Sequence, residues 1–158
     1  MNSAMTYEIS TDDSAATQAL AHRLSLFLAG GEVIELTSDL GGGKTTFVQG
    51  LAQGLGYSGA VTSPTFTLSN VYELAGGRRL HHYDLYRLGE AGIVGSELME
   101  DIAEPGDITV IEWPGLVEAG LPDDRLTITF EATGENRRLI TFKSAGPVSQ
   151  AIVERLKS

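Results

Sequence analysis

The chain has 158 residues, which is the size of one ordinary domain, and it contains no cysteine. The lack of cysteine excludes disulfide scaffolds, cysteine-based zinc sites and thiol catalysis. The formal net charge is −10, and no apolar run approaches the ~20 residues that a membrane span needs. We therefore expect a single domain over residues 1–158 that is soluble and cytoplasmic, without disulfides or membrane contact.

Apolar spacing predicts helices and strands in a regular order. In the first half it indicates a helix over residues 20–28 behind capping candidates at 11–14, a strand over 33–36 and a helix over 47–55. In the second half it indicates a hairpin from the runs 66–73 and 79–85, a short helix near 98–102, a buried strand over 108–111, a strand pair at 125–131 and 137–144, and a closing helix over 148–156. This mixture predicts a three-layer α/β/α fold whose central sheet is mostly parallel, with antiparallel additions.

Acidic residues are concentrated in one stretch of the chain. Residues 88–124 contain ten Asp or Glu side chains and no Lys or Arg. A stretch of this kind is either a solvated face or a docking surface, and the sequence leaves both open. Because phosphate backbones are held by clustered cations, we expect contact with RNA only through a partner.

The strongest motif is a glycine-rich loop between a predicted strand and a predicted helix. Backbone N–H groups of such a loop can surround phosphate oxygens, and the helix dipole adds positive charge. The predicted nucleotide-binding residues are Asp39, Leu40, Gly41, Gly42, Gly43, Lys44, Thr45 and Thr46. Lys44 would reach the β- and γ-phosphates of a nucleoside triphosphate, and the Thr45 hydroxyl would ligate Mg²⁺. The alternative is a tight turn with an incidental lysine.

One position departs from the phosphate-loop pattern, which has glycine where this chain has Ser38. A serine is tolerated if its backbone stays in a common region, and it costs ~1–3 kcal/mol if a special conformation is needed.

We place Lys44 on an exposed loop. Lys44→Ala is therefore expected to abolish binding of the nucleotide with little effect on thermal stability.

Two carboxylates follow predicted strands at places where a nucleotide site needs them. Asp84 and Glu112 each end a strand, and ligands of open α/β sheets bind beyond the carboxyl ends of parallel strands. We predict Lys44, Asp84 and Glu112 as catalytic residues, and Thr45, Asp84 and Glu112 as metal ligands. Ordinary solvated acids at strand ends are the alternative.

Three further features have open or structural interpretations. Residues 61–66 form either a segment that senses the γ-phosphate or a plain Ser-Pro turn. His81 and His82 face opposite sides of a strand, and we interpret both as structural. Trp113 is a lid over the nucleotide, a partner surface or a core aromatic.

Four motifs in this order resemble the TsaE family of small bacterial P-loop ATPases: SDLGGGKTTF, VTSPTFTL, HHYDLYRL and VIEWP. The resemblance covers roughly residues 11–131. The chain departs from the family at Ser38, where glycine is usual, and at Gly42, where alanine is common.

The resemblance implies a P-loop NTPase-like fold and an ATPase needed to make threonylcarbamoyladenosine at position 37 of tRNA. It implies TsaD and TsaB as partners that carry the tRNA and the transfer chemistry. It also implies that Lys44 and Thr45 hold phosphate and Mg²⁺, that Asp84 acts on the metal and that Glu112 supports hydrolysis. Residues Thr62 to Thr65 match the family's switch-like segment.

Two other functions share the glycine loop. A small-molecule kinase usually needs an arginine-rich lid, and residues 88–124 contain no arginine. A nucleotide-dependent binding module without catalysis is the second alternative, and Ser38 supports it. Arg87 is the nearest candidate for an arginine finger, or else it forms a salt bridge. We therefore expect slow hydrolysis by the isolated chain and acceleration by partners.

Overall fold

The computed structural model describes residues 4–38, 43–64, 67–86, 88–90 and 92–158. The strands in these ranges are β1 (Thr6–Thr11), β2 (Val33–Ser38), β3 (Ser69–Glu73), β4 (Arg79–Asp84), β5 (Ile108–Glu112), β6 (Leu126–Ala132) and β7 (Arg138–Lys143). The α-helices are α1 (Ser14–Ser25), α2 (Lys44–Gly54), α3 (Gly92–Ala103) and α4 (Pro147–Lys157), with short 3₁₀ turns at Ala75–Gly77 and Gly115–Gly120.

The described strands form one sheet in the order β1-β7-β6-β2-β5-β4-β3. The four central strands β6, β2, β5 and β4 run parallel to one another. The outer strands pair antiparallel, β1 and β7 on one side and β3 on the other. The predicted fold class, a mostly parallel centre with antiparallel additions, is confirmed.

The sheet separates two apolar cores. The larger core packs α1, α2 and α4 against one face, where side chains such as Leu24, Phe47 and Val153 meet Ile34 and Val110 of the strands. On the opposite face, Leu98 of α3 and the turn after β5 cover Tyr83 and Ile111. All five residues of β5 are buried, as expected for a strand covered on both faces.

Two details of the N-terminal region differ from the sequence prediction. Strand β1 was not predicted, and it pairs along its length with β7 at the edge of the sheet. Helix α1 ends at Ser25, whereas apolar spacing predicted a continuation to Leu28. The N–H groups of Leu26 and Phe27 bond to oxygens three residues back, so the chain tightens there into a turn.

Helices α1 and α2 pack with their backbones in close contact at Gly50. A Cβ added to Gly50 of α2 would stand 2.3 Å from the backbone oxygen of Gln18 in α1. Glycine therefore permits this backbone approach.

In the part of the chain that the structure describes, no helix is both long and apolar enough to cross a bilayer.

Candidate functional site

The two predicted carboxylates lie side by side at the carboxyl edge of the sheet. Asp84 of β4 is the register partner of Glu112 of β5, so the two backbones are about 5 Å apart. Both residues are buried, with 5% and 3% of their surface exposed. Side chains alternate along a strand, and these two share the sheet face of Leu80 and Val110, which belong to the core beneath α2.

Lys44 begins α2 and points into the same place. Its amine lies 3.4 Å from Glu112 Oε1, and both side chains are less than a tenth exposed. Lys44 is only 7% exposed, so the expectation that it stands on an exposed loop is wrong. A buried cation needs an anionic partner, and Glu112 supplies one.

His82 is a site residue that the sequence analysis missed. It is completely buried on β4, and its Nε2 lies 2.5 Å from Glu112 Oε2. The two oxygens of Glu112 thus contact two different groups, Lys44 and His82. The only sequence signal was position: His82 precedes Asp84 by two residues and so shares its face of β4.

Trp113 covers the lysine from the solvent side. It follows Glu112 directly and has a left-handed backbone, with φ 57°, which is a strained region for a non-glycine residue. The Lys44 amine stands 5.0 Å from the centre of the indole ring, within cation–π range. The ring of Tyr86 lies 5.1 Å from that of Trp113, centre to centre, and Trp113 remains 38% exposed. Trp113 is therefore not a core aromatic.

Part of the predicted phosphate loop lies outside the described residues, namely Asp39, Leu40, Gly41 and Gly42. Gly43 caps α2 with φ +100°, a conformation that favours glycine. Thr45 and Thr46 follow Lys44 in the first turn of α2, both partly buried.

Ser38 has ordinary strand geometry. It is the last residue of β2 and is the register partner of Phe130 in β6. The serine is therefore tolerated without backbone strain, and the cost considered for a special backbone conformation does not apply.

The Ser-Pro segment is tied to its surroundings through backbone oxygens. Asn70 and Tyr72 of β3 donate to the Thr62 carbonyl, at 3.1 and 3.2 Å. Leu68, with φ 68°, donates its N–H to Pro64 and accepts from the N–H of Asp84. Two backbone hydrogen bonds thus connect this segment, through Leu68, to the backbone of Asp84. Thr65 and Phe66 lie outside the described residues, as does Arg87.

A cavity of about 500 Å³ opens beside the site at the carboxyl edge of the sheet. Leu36, Leu85 and Pro114 contribute apolar walls, and Tyr86 and Trp113 stand at its border. Glu35 and Glu118 also line it. Both carboxylates bind the guanidinium of Arg125, at 2.7 and 3.3 Å.

The acidic stretch is divided between internal contacts and an exposed helix face. Asp107 contacts Arg79 and His81, and Asp101 accepts from Tyr83. Burial alone would raise the pKa of Asp107, but hydrogen bonds from His81 and the Arg79 backbone N–H lower it below its usual value. Glu97, Glu100 and Glu104 remain exposed on or just after α3, near the 78% exposed Ile93. This second group is exposed and available to a partner.

The donor set fits a magnesium–nucleotide complex. A helix N-terminus preceded by a left-handed glycine, with a lysine as its first residue, is suited to phosphate. Among the described residues no three His, Cys, Asp or Glu side chains converge into a metal cluster. Mg²⁺ in nucleotide sites is held by one or two carboxylates together with phosphate and water, and Asp84 and Glu112 could supply them.

Comparison with known proteins identifies the family. Residues 11–140 match the sequence profile described as "Threonylcarbamoyl adenosine biosynthesis protein TsaE". Proteins named tRNA threonylcarbamoyladenosine biosynthesis protein TsaE from Bacillus subtilis (strain 168) and Streptomyces coelicolor are 37% and 38% identical to this chain. The alignments cover 89% and 80% of this chain and 87% and 89% of those proteins. The crystal structure of YdiB from Bacillus subtilis superposes with a TM-score of 0.82 at 34% identity, covering 99% of this chain and 97% of that one. The family expected from the four motifs is confirmed: the chain belongs to the TsaE family of tRNA threonylcarbamoyladenosine biosynthesis.

Proposed function

We propose that this chain binds ATP with Mg²⁺ and hydrolyses it as the ATPase component of tRNA threonylcarbamoyladenosine synthesis, in the cytoplasm. The observation that carries the proposal is the convergence of Lys44, Asp84 and Glu112 at the start of α2. A lysine and two carboxylates at the carboxyl edge of parallel strands are the groups that phosphoryl transfer requires.

Each residue has a role that follows from its chemistry. Lys44 binds the β- and γ-phosphates, and residues 39–46 surround the phosphates with backbone N–H groups. Thr45 and Asp84 would hold the metal, which would neutralise charge on the phosphates. Glu112 would support hydrolysis by orienting water, and its carboxylate would be a further ligand for the metal.

We propose that hydrolysis is slow in isolation and is accelerated by TsaD and TsaB-like proteins, with tRNA contacted only through them. An arginine supplied by a partner accelerates such reactions by about 10³–10⁵. The exposed acids of α3 and the apolar Ile93 form a surface suited to a partner with a basic, partly apolar patch. Attraction of this kind weakens with salt.

A small-molecule kinase is the second candidate because the cavity beside the site has room for a phosphate acceptor. Its charged wall argues against an anionic acceptor, since Arg125 is already paired with Glu35 and Glu118. A binding module without catalysis loses its main support, because Ser38 has regular strand geometry.

The first experiment measures phosphate release from ATP against the concentration of the TsaD–TsaB pair, at low and high ionic strength. We expect slow release alone, acceleration with partners and a weaker effect at high salt. Lys44→Ala, assayed well below its melting temperature, serves as the blank, and Lys143→Ala is the matched control because Lys143 is exposed on β7. Full activity without partners, or transfer of the phosphoryl group to another molecule, would contradict the proposal.

The second experiment separates the two carboxylates. Asp84→Asn should weaken binding of Mg²⁺–ATP, whereas Glu112→Gln should lower turnover while the nucleotide stays bound. Trp113 is the single tryptophan and stands against Lys44, so its fluorescence can report nucleotide binding. Glu131→Gln, on the exposed side of β6, is the control for loss of a carboxylate. The opposite pattern would exchange the two roles.

The docking surface has its own control. Converting Glu97, Glu100 and Glu104 to glutamine should weaken association with the TsaD–TsaB pair and leave ATP affinity unchanged. Converting three exposed acids elsewhere removes the same charge: Glu8, Glu131 and Glu154. Equal weakening by both sets would show a general effect of charge and not a docking surface.

A further inference from the structure

His82 contacts a proposed catalytic carboxylate and has no role in the proposal so far. It occupies β4 two residues before Asp84, and its register partner is Val110, two residues before Glu112. Its ring therefore reaches Glu112 diagonally across the strand pair, with Nε2 at 2.5 Å from Oε2. The ring is completely buried, so water cannot replace this contact.

The chemistry of the contact fixes its direction. The Lys44 amine lies 3.4 Å from the other oxygen of Glu112, so both oxygens of this side chain have a nitrogen partner. An ionised carboxylate only accepts hydrogen bonds, so Nε2 must carry the proton and donate. Nδ1 has no hydrogen-bonding partner among the described residues, so nothing there competes for that proton.

We propose that His82 is a positioning residue: its Nε2–H holds the Glu112 carboxylate in place beside Lys44 and Asp84. This inference rests on the proposed function. When Lys44 binds phosphate, its interaction with Glu112 weakens. The hydrogen bond from His82 then remains as the fixed contact of the Glu112 side chain. A carboxylate held at one oxygen keeps the other free for a defined task.

The neighbouring histidine provides a matched control. His81 lies on the opposite face of β4 and contacts Asp107 at 2.8 Å and Asp101 at 3.3 Å, away from the site. It is buried to the same extent as His82. A substitution there tests what the loss of any buried histidine of β4 does to the fold.

The kinetic test uses variants of the full chain with the TsaD–TsaB pair present. His82→Phe removes the donor and keeps a ring of similar size, whereas His82→Gln keeps an N–H near the position of Nε2. Loss of an outer partner of this kind typically lowers activity about 10- to 100-fold. We expect such a fall in kcat for His82→Phe, ATP affinity unchanged within about twofold, substantial rescue in His82→Gln and no comparable loss in His81→Gln.

The decisive step combines His82→Phe with Glu112→Gln in single-turnover reactions. If His82 acts through Glu112, its substitution has little further effect once the carboxylate is gone. An equal loss of kcat in both backgrounds would overturn the proposal, because the histidine would then act on the fold in general. So would an unchanged kcat in folded His82→Phe.

A measurement on the unsubstituted protein keeps the test valid if a variant fails to fold. Imidazole ¹⁵N spectra should show His82 with its proton on Nε2, bonded to Glu112, and a changed Nε2 signal in Glu112→Gln. A proton on Nδ1 alone would refute the proposed contact. If the unsubstituted chain does not hydrolyse ATP even with partners, the proposed function fails, and these spectra still decide whether His82 holds Glu112.

Discussion

The stability of Lys44→Ala tests the site geometry without any ligand. Lys44 is only 7% exposed, and its amine lies 3.4 Å from a Glu112 side chain that is 4% exposed. Truncation leaves that buried carboxylate without its cation, which costs ~3–5 kcal/mol when nothing compensates. Because His82 still donates to Glu112, we place the loss of unfolding free energy at ~2–3 kcal/mol.

For a chain of this length, such a loss lowers the melting temperature by roughly 5–10 °C. Urea denaturation followed by circular dichroism measures the free energy directly. Adding Glu112→Gln to Lys44→Ala should recover part of the loss, since a neutral amide needs no cation. The control Lys143→Ala should stay within about 0.5 kcal/mol of the unsubstituted protein. If Lys44→Ala unfolds at the same urea concentration as the unsubstituted chain, the buried pair does not form in solution.

Four further substitutions test the fold and the loop. Gly50→Ala should destabilise the protein by ~1–3 kcal/mol in urea denaturation, because its Cβ would meet a backbone oxygen of α1 at 2.3 Å; Gly89→Ala, which has open space around it, should be neutral. Asp124 accepts from two backbone N–H groups at the start of α4. Burial would raise its pKa, but those bonds and the Ser149 hydroxyl lower it. Asp124→Asn should therefore cost about 1 kcal/mol at neutral pH, and the difference should disappear as acid protonates the native carboxylate below about pH 4. Ser38→Gly should not improve ATP affinity in calorimetry, since no backbone strain exists there to relieve. Thr45→Ala should lose the Mg²⁺ dependence of ATP binding more than the binding itself, and an unchanged Mg²⁺ response would refute its role as a ligand.

The fold was predictable from the sequence because its central strands carry strong local signals. Strand β5 has three apolar residues, Ile108, Val110 and Ile111, and is buried on both faces, as its composition predicts. Strand β1 has a weaker pattern, with every second residue only partly buried. Its partner β7 lies more than 120 residues away in the chain, so the sequence around β1 contains no signal for the pairing.

The sequence predicted only those site residues that stand at the ends of predicted strands. Asp84 and Glu112 were found because parallel strands bring their carboxyl ends to one edge. The contact between His82 and Glu112 depends on the register of β4 against β5, which neither strand encodes alone. The burial of Lys44 depends on how α2 begins and on the left-handed turn that places Trp113 over it.

Several features of the site lower the stability of the folded protein. A non-glycine residue in the left-handed region, as at Trp113, costs ~1–3 kcal/mol. A buried ion pair such as Lys44–Glu112 contributes little compared with apolar residues of the same volume. The core between α2 and the sheet must therefore hold these side chains in place.

Gly50 allows α2 to pack closely on α1, and this packing fixes where the first turn of α2 stands. Because Lys44 is the first residue of that turn, a contact six residues along the helix sets the position of the site lysine.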